Sequence, residues 1–365
     1  MRESGTRHLL HVFPSLAVGG AQMRFVTLAN AFGDRYRHTV LALDGDYACT
    51  QRLAAELSVC YASTDAPKQA TLANVRRFRR RLREIAPDVL ITHNWGTIEW
   101  AIANVPPVAR HIHIEDGFGP EERSTQLRRR VLARRLVLSR STVVLPSRNL
   151  WRIATEIWRL NPRRVHYVPN GIDVQRFADA GHAPGGTVVV GTVAGLRAEK
   201  NIARLLHAFR RVSDIGSARL CIVGDGPERG ALQELAERLG LAGQIEFIGQ
   251  VDDPSPFYHS FDIFALSSDT EQMPLSVLEA MAAGLPIAST NVGDVSTMVA
   301  DENRSFVTPL DAELLANAIT ILARDPALRA RLGTTNRVKA KTDFDQGAMI
   351  ATYAALFDAG LPAGG

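Results

Sequence analysis

The sequence predicts an α/β protein made of two Rossmann-like, doubly wound domains whose parallel sheets face one another across a cleft. Three observations predict it. Short β-like apolar runs alternate with helically spaced stretches along most of the chain, the grammar of a parallel sheet covered by helices on both faces. The 365 residues exceed what one such domain usually needs. The formal charge also changes sign near mid-chain. Residues 1–180 carry 27 Lys+Arg and 16 Asp+Glu, whereas residues 181–365 carry 15 and 22.

The elements follow in order. Residues 8–13 read as the first strand, Gly19-Gly20 as a turn and residues 22–32 as a helix. A secretory signal is the alternative for this apolar start behind Arg2 and Arg7, but His11 and Pro14 interrupt it and a long helical pattern follows directly. Residues 39–43, 89–93 and 142–146 read as further strands with helices between them. Pro169-Asn170-Gly171 is a strong turn signal beside the charge switch.

The second half restarts the pattern. Residues 187–193 form a strand and 201–212 a helix. The strand at 220–223 opens into Gly224-Asp225-Gly226-Pro227 and a helix that Pro227 starts and Gly240 ends. Residues 245–248, 263–265 and 287–289 are short buried strands. Met349, Tyr353, Leu356 and Phe357 mark a final amphipathic helix whose apolar face needs a docking surface. The expected domains are 1–174, 175–342 and a terminal helix, 343–365, returning to the first.

Composition narrows the function. Apolar residues make up 46% and charged residues 22%, which excludes a disordered or disulfide-dense chain. No apolar run reaches the ~18–20 residues that span a bilayer. Three scattered cysteines, Cys49, Cys60 and Cys221, give neither metal-ligand spacing nor a disulfide framework, so a reducing cytoplasm fits. There is no Gly-x-Ser-x-Gly elbow, His-Glu-x-x-His or Walker loop, and no Asp-x-Asp at a strand end to hold a metal–diphosphate. No metal and no cofactor are therefore expected.

The positive charge gathers in Arg76–Arg83 and in Arg128-Arg129-Arg130 with Arg134-Arg135; only four of 42 basic residues are lysine. Two readings stand level: solvated helix faces, or a surface drawn to anionic lipid on the inner face of the cytoplasmic membrane. Nucleic acid is not expected, because no aromatic-rich binding module accompanies the arginines.

Residues 267–286, Ser-Ser-Asp-Thr-Glu-Gln-Met-Pro-Leu-Ser-Val-Leu-Glu-Ala-Met-Ala-Ala-Gly-Leu-Pro, carry the most information. Glu271 precedes a helix whose first turn suits Pro274, and Glu279 lies inside it. Met273, Pro274, Leu275 and Ser276 stand at the helix start, whose exposed amides seat a phosphate. Glu279 offers two acceptor oxygens to a ribose diol. Alone it would read as an ordinary helix glutamate. The apolar Ala280, Met281, Ala282 and Ala283 make burial of the segment the expectation, and a buried glutamate needs partners.

This stretch resembles the signature of glycosyltransferase family 4, retaining enzymes of the two-domain GT-B fold. The likeness rests on the Glu-x7-Glu pair, the Pro-Leu between them and the Glu-Ala-Met-Ala-Ala-Gly-Leu-Pro run. Gln272 stands where many members carry glycine. Other segments resemble the family's in the same order. Gly19-Gly20 is similar to its N-terminal glycine loop, residues 168–173 to its inter-domain segment, and Gly224-Asp225-Gly226 to its second glycine turn. Gly195 to Asn201 is similar to its basic diphosphate clamp, with Lys200 at the phosphate-contacting position. Gly195 occupies the place of the family's arginine, and Arg197 follows two residues later. In the 111–119 segment either His113 or Asp116 takes the place near the reacting centre.

The resemblance implies a nucleotide-sugar donor bound by the second domain and a saccharide or lipid-linked acceptor presented by the first. It implies retention by front-face attack, with Glu271, Lys200, Arg197 and His113 at the chemistry. Donor contacts fall to Gly19, Gly20, Gly224, Gly226, the 273–276 helix start and Glu279, and the acceptor side to Asp116. Alternatives are a sugar-nucleotide epimerase or hydrolase on the same fold, a non-catalytic sugar-nucleotide-binding subunit, and a nicotinamide oxidoreductase. The last is weakened because the third glycine is displaced to Gly230.

Overall fold

The structure is a computed structural model that describes residues 6–63, 71–122, 125–177, 186–213 and 218–359. Arg2 and the Gly/Ala/Pro tail beyond residue 359 lie outside these. The chain divides into two compact units, Met1–Pro169 with Ile350–Gly365, and Asn170–Met349.

The first unit holds a seven-stranded sheet: β1 (Arg7–Phe13), β2 (Tyr36–Ala42), β3 (Val59–Tyr61), β4 (Val89–His93), β5 (Arg110–Ile114), β6 (Thr142–Leu145) and β7 (Val165–Tyr167). The order is β3-β2-β1-β4-β5-β6-β7, and every pairing is parallel. The helices are α1 (Gly20–Phe32), α2 (Thr71–Ile85), α3 (Ile98–Ala103), α4 (Arg128–Val137) and α5 (Arg148–Arg152), the last running on into a π-turn at Ile153–Ile157. Strands β1 and β4 are buried along nearly their whole length, as strands at the centre of a sheet covered on both faces are.

The second unit repeats the scheme with β8 (Val188–Val193), β9 (Ala218–Val223), β10 (Ile245–Gly249), β11 (Ile263–Leu266), β12 (Ile287–Thr290) and β13 (Val307–Thr308). These order as β10-β9-β8-β11-β12-β13, again all parallel. Its helices are α6 (Ile202–Ser213), α7 (Arg229–Arg238), α8 (Ser255–Tyr258), α9 (Leu275–Ala282), α10 (Val295–Met298), α11 (Ala312–Arg324) and α12 (Pro326–Asp343). The closing helix is α13 (Gln346–Asp358).

From Ile350 onward α13 belongs to the first unit. Tyr353 and Phe357 are buried there, and Arg7 and Arg110 donate to the Phe357 carbonyl at 2.7 and 2.9 Å. Cations on the last carbonyls of a helix satisfy its open acceptors and oppose its dipole.

Two sequence expectations need correction. Pro227 lies in the turn just ahead of the helix: α7 begins at Arg229, and the Glu228 amide is spent on the Leu196 carbonyl at 3.0 Å. Pro274 precedes α9 rather than lying in its first turn, with an extended ψ of 123°. Strands β3, β7 and β13 carried no sequence signal, being two or three residues long. Among the described residues no helix is long and apolar enough to cross a membrane.

Candidate active site

The basic loop of the second unit is built by two glycines. Past β8, Ala194 bonds the Val223 carbonyl at 3.0 Å and Leu196 that of Asp225 at 2.9 Å. The loops after β8 and β9 therefore lie in backbone contact. Only glycine permits this: a Cβ on Gly224, whose φ is +134°, would stand 2.0 Å from the Ala194 carbonyl oxygen, and one on Gly226 2.4 Å from that of Leu196. Both were read as donor contacts; the structure gives each a packing duty that fixes the loop leading to Lys200.

That loop ends in a tight turn at Ala198–Lys200 and a left-handed Asn201 (φ 43°, ψ 51°). The Asn201 carboxamide accepts the Arg204 amide at 3.1 Å and donates to Asp269 at 3.1 Å. The segment after β11 is laced to the same turn. Ser267 Oγ donates to the Lys200 carbonyl at 3.1 Å, and the Asp269 amide to that of Glu199 at 2.9 Å. In consequence Lys200 Nζ reaches Glu271 Oε1 at 2.5 Å, and Ser268 Oγ donates to the same oxygen at 2.8 Å. Arg197 is mostly exposed, 3.8 Å from Glu199. Its Nε lies 3.3 Å from where a Gly195 Cβ would be, so its guanidinium folds over the space that the missing side chain leaves.

Glu271 and Gln272 form the loop ahead of α9. Gly293, at φ +54°, lets the next loop pack against their carbonyls, since a Cβ there would lie 2.5 Å from each oxygen. The Met273 carbonyl accepts Asn170 Nδ2 at 3.1 Å. Helix α9 starts without a side-chain cap, and Leu275 and Ser276 at its first turn are half-buried. Within the helix Glu279 accepts the Tyr258 hydroxyl at 2.6 Å. Burial pushes the Glu279 carboxyl up and the Tyr258 hydrogen bond pulls it back; the Tyr258 phenol is raised by burial and by Glu279. Sequence reasoning missed Tyr258, which stands in no motif, and read Asn170 as part of a turn and inter-domain segment without a site contact.

In the first unit Gly19 precedes α1, and Gly20 is its first residue, again without a side-chain cap. His113 is fully buried in β5, with Nδ1 2.8 Å from Thr92 Oγ1 and Nε2 3.5 Å from Glu115. Neither nitrogen is open to a ligand in this arrangement. Asp116 is partly exposed and ion-paired to the buried Arg24 at 2.6 Å. Its amide donates to Asn94 at 2.7 Å, a residue at φ +58°. Of the two residues, only Asp116 keeps part of its side chain open to solvent.

The arginine clusters are not uniform. Arg134 is fully buried, donating twice to Glu122 at 3.0 and 2.9 Å, with Trp95, Phe118 and Trp158 centroids within 5.2 Å of its guanidinium carbon. Arg130 pairs with Glu121 and Glu122 at 2.6 and 3.1 Å. These two are structural, which corrects the reading of the whole cluster as one solvent- or lipid-facing surface. Among the described residues no group of three or more His, Cys, Asp or Glu side chains is placed to hold a metal ion.

Both halves of the chain match the patterns of known families. The pattern of "Glycosyl transferases group 1" matches residues 173–339, and that of "Glycosyltransferase Family 4" residues 18–176. A lipopolysaccharide core biosynthesis glycosyltransferase of Rhizobium meliloti, LpsE, is 32% identical over 47% of this chain and 50% of its own length. The putative glycosyltransferase EpsF of Bacillus subtilis is 29% identical over 73% of this chain and 72% of its own. The chain thus spans about half the length of the first of these relatives. The crystal structure of Anabaena Alr3699/HepE in complex with UDP superposes at a TM-score of 0.80, covering 96% of this chain and 99% of that one at 20% identity. The chain, with its GT-B fold, belongs to the group 1, family 4 glycosyltransferases.

Proposed function

We propose that this protein moves a sugar from a nucleotide-diphosphate donor to a saccharide or lipid-linked acceptor, with retention, in the assembly of polysaccharide, lipopolysaccharide or glycolipid at the cytoplasmic side of the membrane. The observation that carries the reading is the Lys200–Glu271 contact in the loop that leads into the uncapped start of α9. It puts a cation, a carboxylate and open helix amides on one short stretch of the second unit. Departure of the nucleoside diphosphate is an electrostatic problem, and preorganised donors aimed at the developing charge answer it. Lys200, Arg197 and the Leu275 and Ser276 amides take the diphosphate, Glu271 the donor sugar and Glu279 the ribose diol. In front-face attack the leaving phosphate accepts the proton of the acceptor hydroxyl, so no protein nucleophile is required. Asp116 serves the acceptor in the first unit. The cations and amides make the diphosphate's neutralisation independent of a metal, and no cofactor beyond the donor enters.

The test is a thermal-shift panel of UDP-, GDP- and ADP-sugars, beginning with UDP because the Anabaena relative was crystallised with it. A donor at about 100 times its Kd adds about 2.7 kcal/mol of stability. The binding donor is then assayed for transfer with and without EDTA, and the linkage is read by NMR. Failure of every sugar nucleotide to bind would overturn the reading, and an inverted linkage would overturn retention.

A further inference from the structure

We propose that the outward face of α4 seats the protein on an anionic lipid surface. Arg130 and Arg134 turn inward to the Glu122 and tryptophan cage, and Val131 and Val137 pack on the core beneath. What remains outside is Arg128, Arg129, Leu132, Arg135 and Leu136, with Leu132 57% and Leu136 65% exposed. Leu132 and Leu136 are one turn apart and share a face with Arg128 and Arg135. Helix α4 contains no acidic residue. Among the described residues Arg128, Arg129 and Arg135 make no ion pair, so their charge is not spent within the fold. Arg128 and Arg129 moreover stand at the helix start, where cations oppose the dipole unless an external anion compensates.

The combination selects lipid over a protein partner. Two leucines cover far less than the ~800 Å² per partner of a stable protein interface. An interfacial helix needs only shallow apolar contact, with arginine stems lying along it and guanidinium groups at the phosphates. Other exposed apolar pairs lack this frame: Leu314 and Ile321 on α11 stand beside Glu313, which already pairs with Arg211 at 2.6 Å. On α2, Arg80 and Arg81 are partly neutralised by Glu84. The proposal does not depend on which reaction the chain catalyses.

The experiment is co-sedimentation of the full chain with phosphatidylcholine vesicles with and without phosphatidylglycerol, at rising salt. The wild type is expected to sediment with the anionic vesicles only and to release as salt rises. Arg128→Gln/Arg129→Gln/Arg135→Gln is expected to lose about fivefold per arginine, roughly a hundredfold in all. Leu132→Ser/Leu136→Ser is expected to lose at least about tenfold at unchanged charge, while Arg76→Gln on α2 loses markedly less than either. Circular dichroism melts confirm that the variants fold. Wild-type protein that ignores anionic vesicles, or α4 variants that bind like wild type, would overturn the proposal. So would a dimer in solution that the leucine changes dissolve, or binding of single-stranded DNA in preference to vesicles.

Discussion

Lys200 Nζ and Glu271 Oε1 stand 2.5 Å apart, and Ser268 Oγ donates to the same carboxylate oxygen. The pair joins the turn after β8 to the segment after β11, two loops that leave the sheet at neighbouring strands. Each charge is therefore compensated before any anion arrives. On the proposed function, a diphosphate reaching Lys200 would exchange one anionic partner for another, and until then the lysine is held in place without an uncompensated charge. Lys200→Ala is expected to lower kcat about 10²–10³-fold, the effect of removing one preorganised donor. Glu271→Gln keeps the shape and frees the lysine. In a double-mutant cycle the two changes should be strongly non-additive in kcat/KM. Additive losses would mean that the residues act separately.

Gly224 and Gly226 offer a test of positioning at a distance. Ala at 224 brings a Cβ to 2.0 Å from a backbone oxygen, which no side-chain adjustment can relieve. Gly224→Ala is expected to destabilise the protein by about 2–4 kcal/mol, seen as a lower urea midpoint at unchanged m. Donor Kd should weaken with it, because the Ala198–Lys200 turn is hung from this contact. Gly230→Ala is the control: nothing lies within 4 Å of its added Cβ, and inside α7 it should be neutral or stabilising by up to about 1 kcal/mol.

How legible the site was depended on how locally it is encoded. Residues 267–286 were readable because strand end, loop, helix start and both glutamates fall within one stretch. Strands such as β4 were readable as continuous apolar runs. Tyr258 was not, because it meets Glu279 across 21 positions and belongs to no motif. Arg134 was misread for a related reason. Its partners Glu115, Glu122, Trp95 and Trp158 arrive from four separate segments, and only the fold shows which arginines of the cluster turn inward. Residue type and spacing state what chemistry is on offer; long-range contacts decide which copies are spent on structure.

Burial should make stability depend on pH. His8 and His38 are lowered to about 4 and His111 to about 3, by burial first and then by Arg37, His8 and His113 respectively. Unfolded, each titrates near 6.5. Between these values the unfolded chain binds more protons, so these histidines leave stability intact above about pH 6.5 and reduce it as pH falls toward 4. Each contributes a slope approaching about 1.4 kcal/mol per pH unit inside that window. Urea midpoints at pH 7.5, 6 and 5 (about one unit apart or more) should fall monotonically. His38→Gln should flatten the curve, and a midpoint flat from pH 7 to 5 would contradict the assignment.

The Tyr258–Glu279 bond separates affinity from turnover. Tyr258→Phe removes the hydroxyl that donates to Glu279 and leaves burial to push its carboxyl further up. If Glu279 must be ionised to accept a ribose diol, donor Kd should rise about tenfold to a hundredfold in the variant, the ~1.5–3 kcal/mol worth of a hydrogen bond to a charged group. The loss should grow as pH falls, while kcat at saturating donor changes little. A pure kcat effect would instead place Glu279 at the transferred sugar.

Arg134 is the fully buried arginine of α4. Its guanidinium is enclosed by three aromatic rings and bonded twice to a carboxylate that is itself buried. Arg134→Met removes the cation from two buried carboxylates: Glu122 keeps only Arg130, at 3.1 Å, and Glu115 loses its arginine at 3.5 Å, at a cost of about 3–5 kcal/mol. Adding Glu122→Gln should recover part of that loss, because one of the two undercompensated carboxylates is then neutral. Arg128→Gln, six residues away on the exposed side, should move the melting midpoint hardly at all, within about 0.5 kcal/mol. If Arg134→Met were equally silent, the aromatic cage would not be what holds α4 to the sheet.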